Sequence, residues 1–249
     1  MTDYITGGSG FIGSHLAKRL HDVEHVNHLD ITRNKCADCD KFFFLSTYGN
    51  MAHHDELGAV FKAGILDVHH VLTKVKPKLF VFMSSSSVNL PVQTPYSISK
   101  MCAEHLIRSF DVPHLITRPF SVTGVGEQKE HLIPKLIDSC LNGTRMDFVQ
   151  EPVHDFIDVE DVVDGIMYLI SKRFTGTFEL GSGIGRTNRE VLDMVQNVCG
   201  EKANVQLRKS MRPYDNEHWV CQQGIEGWFP KKTLLESITE MVEHAKSTS

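Results

Sequence analysis

The sequence predicts an α/β fold in which a doubly wound parallel sheet is joined to a smaller C-terminal α/β lobe. Short apolar runs at Ile5, Phe42 to Leu45, Leu79 to Met83 and His114 to Thr117 alternate with stretches of helical period, as strands buried between helices do. A glycine cluster, TGGSGFIGSHL, separates the first run from the first helix. No repeat, low-complexity stretch or linker divides the 249 residues into independent halves.

Each element has its own warrant. Phe11, Ile12, Leu16 and Leu20 recur at helical spacing after the glycines, and Val26 to Asp30 reads as a strand ending at the acid. Glu56 to Val75 is amphipathic and falls between two apolar runs, giving strand, helix, strand. Pro95 suits the start of a helix carrying Tyr96 in its first turn. Past Phe120 the pattern calls for helices over His131 to Leu141, Val159 to Ser171, Asn188 to Val198 and Lys232 to Ala245, with short strands near Met146 to Val149 and Thr177 to Leu180. The expected division is a sheet domain over 1–122 and 154–181 and a second lobe over 123–153 and 182–249, with ligand in the cleft between them.

With 41% hydrophobic residues the chain can bury a sizeable core. Its net charge of -5 is spread out, with no basic run or acidic tail, so a small molecule is expected as ligand rather than nucleic acid or an anionic membrane. No apolar run approaches the roughly 20 residues of a membrane span, and the opening MTDYITGGSG lacks the basic and apolar regions of a secretory signal. A cytoplasmic location is expected. Six scattered cysteines, Cys36, Cys39, Cys102, Cys140, Cys199 and Cys221, fit that compartment as reduced thiols. Cys36 and Cys39 have the spacing of half a zinc site, yet no second CxxC or HxxxH follows at finger spacing, and the pairs His53-His54 and His69-His70 have no set register with it. No metal is expected, and the CADC element reads as a surface turn.

Gly7, Gly10 and Gly13 recur every third residue between strand and helix. Such glycines permit a tight turn, a close approach of backbone to pyrophosphate, and close helix packing, while the helix N-terminus offers free N–H groups to phosphate. Asp30 follows about 20 residues on, where a carboxylate accepts the ribose hydroxyls of NAD. The acid disfavours the extra phosphate of NADP, although Arg33 and Lys35 sit close enough in sequence to counter it.

Tyr96 and Lys100 are four residues apart and share a helix face. The ammonium and the positive helix end are expected to favour the Tyr96 phenolate and make it a usable base. Ser85, at the carboxyl end of the preceding strand, is placed to hold a substrate oxygen while Tyr96 exchanges its proton.

Taken in order, TGGSGFIGSHL, HLD, FVFMSSSSV, PYSISK, TRPFSVTG, HDFIDVEDVVDGI, FELGSG, RPYD and GWFPKK resemble the extended short-chain dehydrogenase/reductase family of NAD-dependent nucleotide-sugar epimerases and dehydratases. The resemblance runs from residue 4 to about 232 and implies a Rossmann-like sheet. It implies Ser85, Tyr96 and Lys100 as the catalytic residues, with Lys100 on the nicotinamide ribose. It further implies Gly7, Gly10, Phe11, Ile12, Gly13, Asp30, Leu45, Ser46, Ser84 and Phe120 at the cofactor, with Tyr96 and Lys100. Ser85, Ser121 and Arg212 would contact a nucleotide-diphosphate sugar. A homodimer is implied through the helix of Tyr96 and Lys100, with Met101, His105 and Arg108 marking its outer face.

The chain departs from this family in several places. Only a short loop fits between Asp30 and Phe42, where the family has a helix and a strand, so the sheet is expected to lack one strand and the adenine pocket to be altered. The connection from Val88 to Tyr96 is cut back, with Asn89-Leu90 in place of tyrosine-glycine, so a loop covering the substrate is expected to be missing. His154 replaces an arginine and Glu179 an asparagine. Ser86 and Ser87 stand where the dehydratases carry an acidic pair and the decarboxylases a glutamate, which disfavours elimination and decarboxylation. The expected activity is NAD-dependent 4-epimerisation of a nucleotide sugar by transient oxidation at C4. The alternatives are an NAD(P)H-dependent reductase of a nucleotide-linked keto sugar and a catalytically silent NAD-binding protein.

Overall fold

The structure, a computed structural model, describes residues 2–33, 36–48, 56–209 and 218–248. The chain begins with β1 (Asp3–Thr6), α1 (Phe11–Arg19), β2 (Val23–His25), α2 (His28–Thr32) and β3 (Lys41–Phe44). A continuous helical stretch follows as α3 (Leu57–Phe61), a π-turn (Lys62–Leu66) and α4 (Asp67–Lys74). Next come β4 (Leu79–Met83), a 3-10 turn (Ser86–Asn89), α5 (Pro95–Arg108) and β5 (His114–Pro119). The remainder is β6 (Ser121–Thr123), α6 (Leu132–Asn142), β7 (Met146–Phe148), β8 (Val153–Asp158), α7 (Val159–Ser171), β9 (Gly176–Leu180), β10 (Gly185–Thr187), α8 (Asn188–Cys199), β11 (Val205–Leu207), β12 (His218–Trp219) and α9 (Leu234–Thr248). Two compact units divide these elements: 1–89, 93–119 and 166–179 form the first, and 90–92, 120–165 and 180–249 the second.

The first unit holds a sheet of order β2-β1-β3-β4-β5-β9. Its pairs from β2 to β5 are parallel, and the order reverses direction at β1, as in doubly wound folds. Register explains why this sheet forms. Phe42 lies opposite Phe80 and Phe44 opposite Phe82, so alternation puts all four rings on one face, where neighbouring centroids are 6.0 to 6.1 Å apart across the two strands. Val68, Val71 and Leu72 of α4 and Ala103 and Ile107 of α5 close over that face. Each buried phenyl contributes about 1.5–3 kcal/mol relative to exposure.

Two expectations for this unit are corrected. The strand read at Val26 to Asp30 forms earlier, at Val23–His25, and Asp30 instead lies in α2. Asn27 caps that helix by accepting from the backbone N–H of Leu29 and Asp30, while the Asp30 carboxylate accepts from the N–H of Asn27, a reciprocal capping box that overrides extension. The CADC element is also no surface turn, since Cys36 and Cys39 are buried under Tyr4, Val26 and Ile31. Burial pushes their thiols up to about 11 and about 12. Among the described residues no group of side chains suits a metal ion, and Lys35, His53 and His54 lie outside those residues.

In the second unit β8 pairs in parallel with β6 and β12 and antiparallel with β10, and β7 pairs with β11. β8 was not expected, because its HDFID carries two acids into a buried strand. Their partners come from distant segments. Asp155 accepts from the N–H groups of Ser182, Gly183 and Cys221, and Asp158 accepts from Glu160 N and Ser237 Oγ. The HDFID, GSG and C-terminal segments are thereby tied together. A separate core of Leu136, Phe148, Val191, Val195 and Ile238 packs α6, α8 and α9.

Candidate active site

The glycine loop is built by exclusion of side chains. Gly7 has φ +69°, and a Cβ there would stand 2.7 Å from Ser46 N and 2.8 Å from the carbonyl carbon of Leu45. A Cβ on Gly13 would stand 1.9 Å from the Gly7 oxygen, so the first turn of α1 rests directly on the loop. Gly10 is different: it closes the turn by donating to Gly7 O at 3.0 Å, and its Cβ position meets no described atom but that oxygen within 4 Å. The middle glycine thus leaves one side open at the start of α1, next to half-buried Phe11 and Ile12. Leu45 and Ser46 close the other side, and both bond Thr6 at the end of β1. The structure therefore brings Gly7, Gly10, Gly13, Leu45 and Ser46 together, in a cradle that suits a pyrophosphate. The Asp30 carboxylate accepts from Asn27 N in the α2 cap.

The reactive group candidates sit at the carboxyl ends of β3 and β4 and the start of α5. Thr94 caps α5 in a reciprocal pair with Ser97, and Pro95 occupies its first turn, which fixes Tyr96 at the helix entrance. The Tyr96 hydroxyl hydrogen-bonds the side chains of Ser85 and Thr47. Ser85 Oγ accepts from Ser87 N at 3.2 Å and from Ser87 Oγ at 2.9 Å, so its own proton is left for the Tyr96 oxygen. Lys100, 1% exposed, donates to Met83 O at 2.7 Å, with Nζ 5.8 Å from the centre of the Tyr96 ring. Thr47 was not singled out from sequence; its signal was its position three residues past the end of β3.

The electrostatics run against expectation. Burial pushes the Tyr96 phenol up, and the hydrogen bonds to Ser85 and Thr47 only offset part of this. Burial also pushes Lys100 down to about 7, opposed by the negative charge of Glu104. Desolvation outweighs the ammonium and helix-end effects expected to favour the phenolate.

Ser84 lies just ahead of this pair. Its hydroxyl turns into the protein and donates to Glu104 at 2.5 Å. Glu104 is 1% exposed, accepts from Arg118 through Nε and a terminal nitrogen and from Arg108 at 2.8 Å, and is held below the usual carboxylate range by these bonds despite burial. Arg108 also bonds Thr177, so it does not simply mark an outer face of α5.

Within the second unit, Phe120 is buried with its ring 6.5 Å from Trp219, and Ser121 starts β6 opposite Phe156. Arg212 and the rest of RPYD lie outside the described residues.

Residues 60–181 match the family described as NAD dependent epimerase/dehydratase. Over that stretch the chain is similar to this family. A UDP-glucose 4-epimerase of Lactobacillus helveticus is 22% identical over 94% of this chain and 93% of its own length. The GDP-6-deoxy-D-mannose reductase of Pseudomonas aeruginosa is 21% identical over 98% of this chain and 97% of its own. Three other relatives are matched over only 47, 53 and 61% of their lengths, so the chain spans about half of those proteins. A solved UDP-glucose 4-epimerase from Thermotoga maritima, with UDP-glucose, shares the fold at a TM-score of 0.85 and 19% identity, covering 100% of this chain and 99% of that one. Among the described residues, no helix is long and apolar enough to cross a membrane.

Proposed function

We propose that this chain is a member of the epimerase/dehydratase family and works as an NAD-dependent nucleotide-sugar 4-epimerase. The observation that carries the reading is the Ser85–Tyr96 hydrogen bond beside buried Lys100, on a loop whose other serines are committed elsewhere. Ser86 donates to Pro119 O and Ser87 to Ser85, so this loop presents one hydroxyl pair and no carboxylate. That set suits proton exchange at one sugar hydroxyl and not elimination, which needs a second acid or base.

The glycine cradle fits NAD, since its open side at Gly10 is the one a pyrophosphate requires. NAD, when bound, supplies reversible hydride acceptance at C4. Tyr96 takes the proton of the C4 hydroxyl, and Ser85 donates a hydrogen bond to that oxygen throughout. Tyr96, raised by desolvation, holds its proton firmly and returns it when the 4-keto oxygen is reduced on the other face. Lys100 lies against the ring of Tyr96, and in its protonated form favours the phenolate during oxidation. Ser121 and Arg212 are proposed for the diphosphate.

Purified protein should interconvert one pair among UDP-glucose and UDP-galactose, their N-acetyl forms, or UDP-glucuronate and its epimer, with mass spectrometry of co-purified small molecules identifying NAD. Bound NAD without interconversion of any pair overturns the assignment. The end-to-end match to the Pseudomonas aeruginosa reductase supports a second reading, reduction of a nucleotide-linked keto sugar. Stoichiometric oxidation of NADH or NADPH, dependent on a keto sugar, would select it.

A further inference from the structure

Asn89, in the turn after Ser85, and Glu179, on β9, meet in the structure. Asn89 ends the 3-10 turn that follows Ser85, and its Nδ2 donates to Glu179 Oε1 on β9 at 2.6 Å. Asn89 Oδ1 accepts from Arg118 at 3.1 Å, and Arg118 is paired through two nitrogens with Glu104 of α5. The same Glu104 accepts from Ser84 at 2.5 Å, one residue ahead of Ser85. Both ends of the segment bearing Ser85 are therefore fastened to one polar network, Ser84 through Glu104 and Asn89 through Arg118 and Glu179. Arg108 closes it by joining Glu104 to Thr177 on β9.

We propose that Asn89 and Glu179 are positioning residues that hold the Ser85 hydroxyl against Tyr96 by fastening the turn from Ser85 to Asn89 with side-chain bonds. The chemistry is specific. The network balances two carboxylates against two guanidinium groups, and Asn89 is the neutral link able to donate to Glu179 and accept from Arg118 at once. A leucine or alanine at 89 offers neither bond. An aspartate keeps the bond to Arg118 but faces Glu179 with like charge. The small span from Ser85 to Asn89 transmits any release directly to the reacting hydroxyl, and misplacements on the ångström scale lower turnover more than binding.

This inference rests on the reading of Ser85 and Tyr96 as the reacting pair, so its test has an arm independent of turnover. Asn89→Asp should lower kcat about tenfold with KM within about twofold. It should also speed hydrogen exchange at the amides of Ser87 and Val88, whose bonds to Ser85 close the turn. Combining Asn89→Asp with Glu179→Gln rebuilds the pair with donor and acceptor exchanged, and should restore kcat and exchange protection to within about twofold of wild type. Unchanged kcat and exchange in the single variant, or losses that the combined variant fails to recover, overturn the inference. A lower melting temperature with kcat unaltered overturns it too, since that is what a merely structural bond would show. If the wild type turns over no nucleotide sugar, the exchange arm alone decides whether the pair fastens the loop, and the functional reading falls separately.

Discussion

Replacing Gly13 by alanine tests the cradle most directly. The added Cβ would lie 1.9 Å from Gly7 O and 2.7 Å from its carbonyl carbon, where ordinary contact begins near 3.4 Å, so the two backbones must part by about 1.5 Å. Neither side yields easily. Gly7 already has φ +69° and is backed by Ser46 N, while Gly13 is fixed inside α1. Forced repacking of this kind costs about 1–3 kcal/mol, and alanine's better helix propensity returns up to about 1 kcal/mol. At a net loss of about 1–2 kcal/mol the melting temperature should fall by about 2–8 °C for a chain of this size. The larger effect is on ligand, because the loop N–H groups shift relative to the start of α1: NAD should bind about tenfold more weakly or worse, equivalent to about 1.4 kcal/mol. Calorimetric titration with NAD and thermal melts read both quantities. Gly58→Ala, where no atom of the described residues lies within 4 Å of the added atom, is the control and should leave affinity unchanged. NAD affinity equal to wild type in Gly13→Ala would refute the argument that this contact shapes the site.

Tyr96→Phe should lower kcat about 10²- to 10⁴-fold while sparing NAD affinity, as seen by steady-state kinetics beside titration. Lys100 is held at about 7 against an ordinary 10.5, so between those values the unfolded chain binds a proton that the folded chain lacks, and this group's contribution to stability rises with pH. Lys100→Met removes that penalty; its melting temperature relative to wild type should be highest near pH 6 and decline toward pH 9, and a difference that grows with pH contradicts the assigned burial. Gly64→Ala would set a Cβ 2.8 Å from Ser99 Oγ and 2.9 Å from Ser99 Cβ, pushing the π-turn against the catalytic helix. It should lower both kcat and melting temperature, and adding Ser99→Gly, which clears both contacts, should restore them.

What was legible in the sequence follows from how local its physics is. The glycine spacing, the helix entrance at Pro95 and the Phe-rich strands declare themselves within a few residues, and the structure places them as read. Asp30 was misread because the deciding interaction is a competition: a capping asparagine three residues earlier draws the chain into a helix before the strand can reach the acid. β8 went unseen because the N–H donors that make Asp155 tolerable come from residues 182, 183 and 221. The raised phenol of Tyr96 was beyond reach for the same reason, since desolvation is a property of everything packed around a group and not of its neighbours in sequence.

The outermost strand on the glycine-loop side, β2, has three residues, two of them exposed and polar, Glu24 and His25. A sheet that stops there offers an incoming strand very few backbone donors and acceptors, with a charge among them. Among the described residues the sheet thus ends in a margin too brief and too hydrophilic to template association between copies.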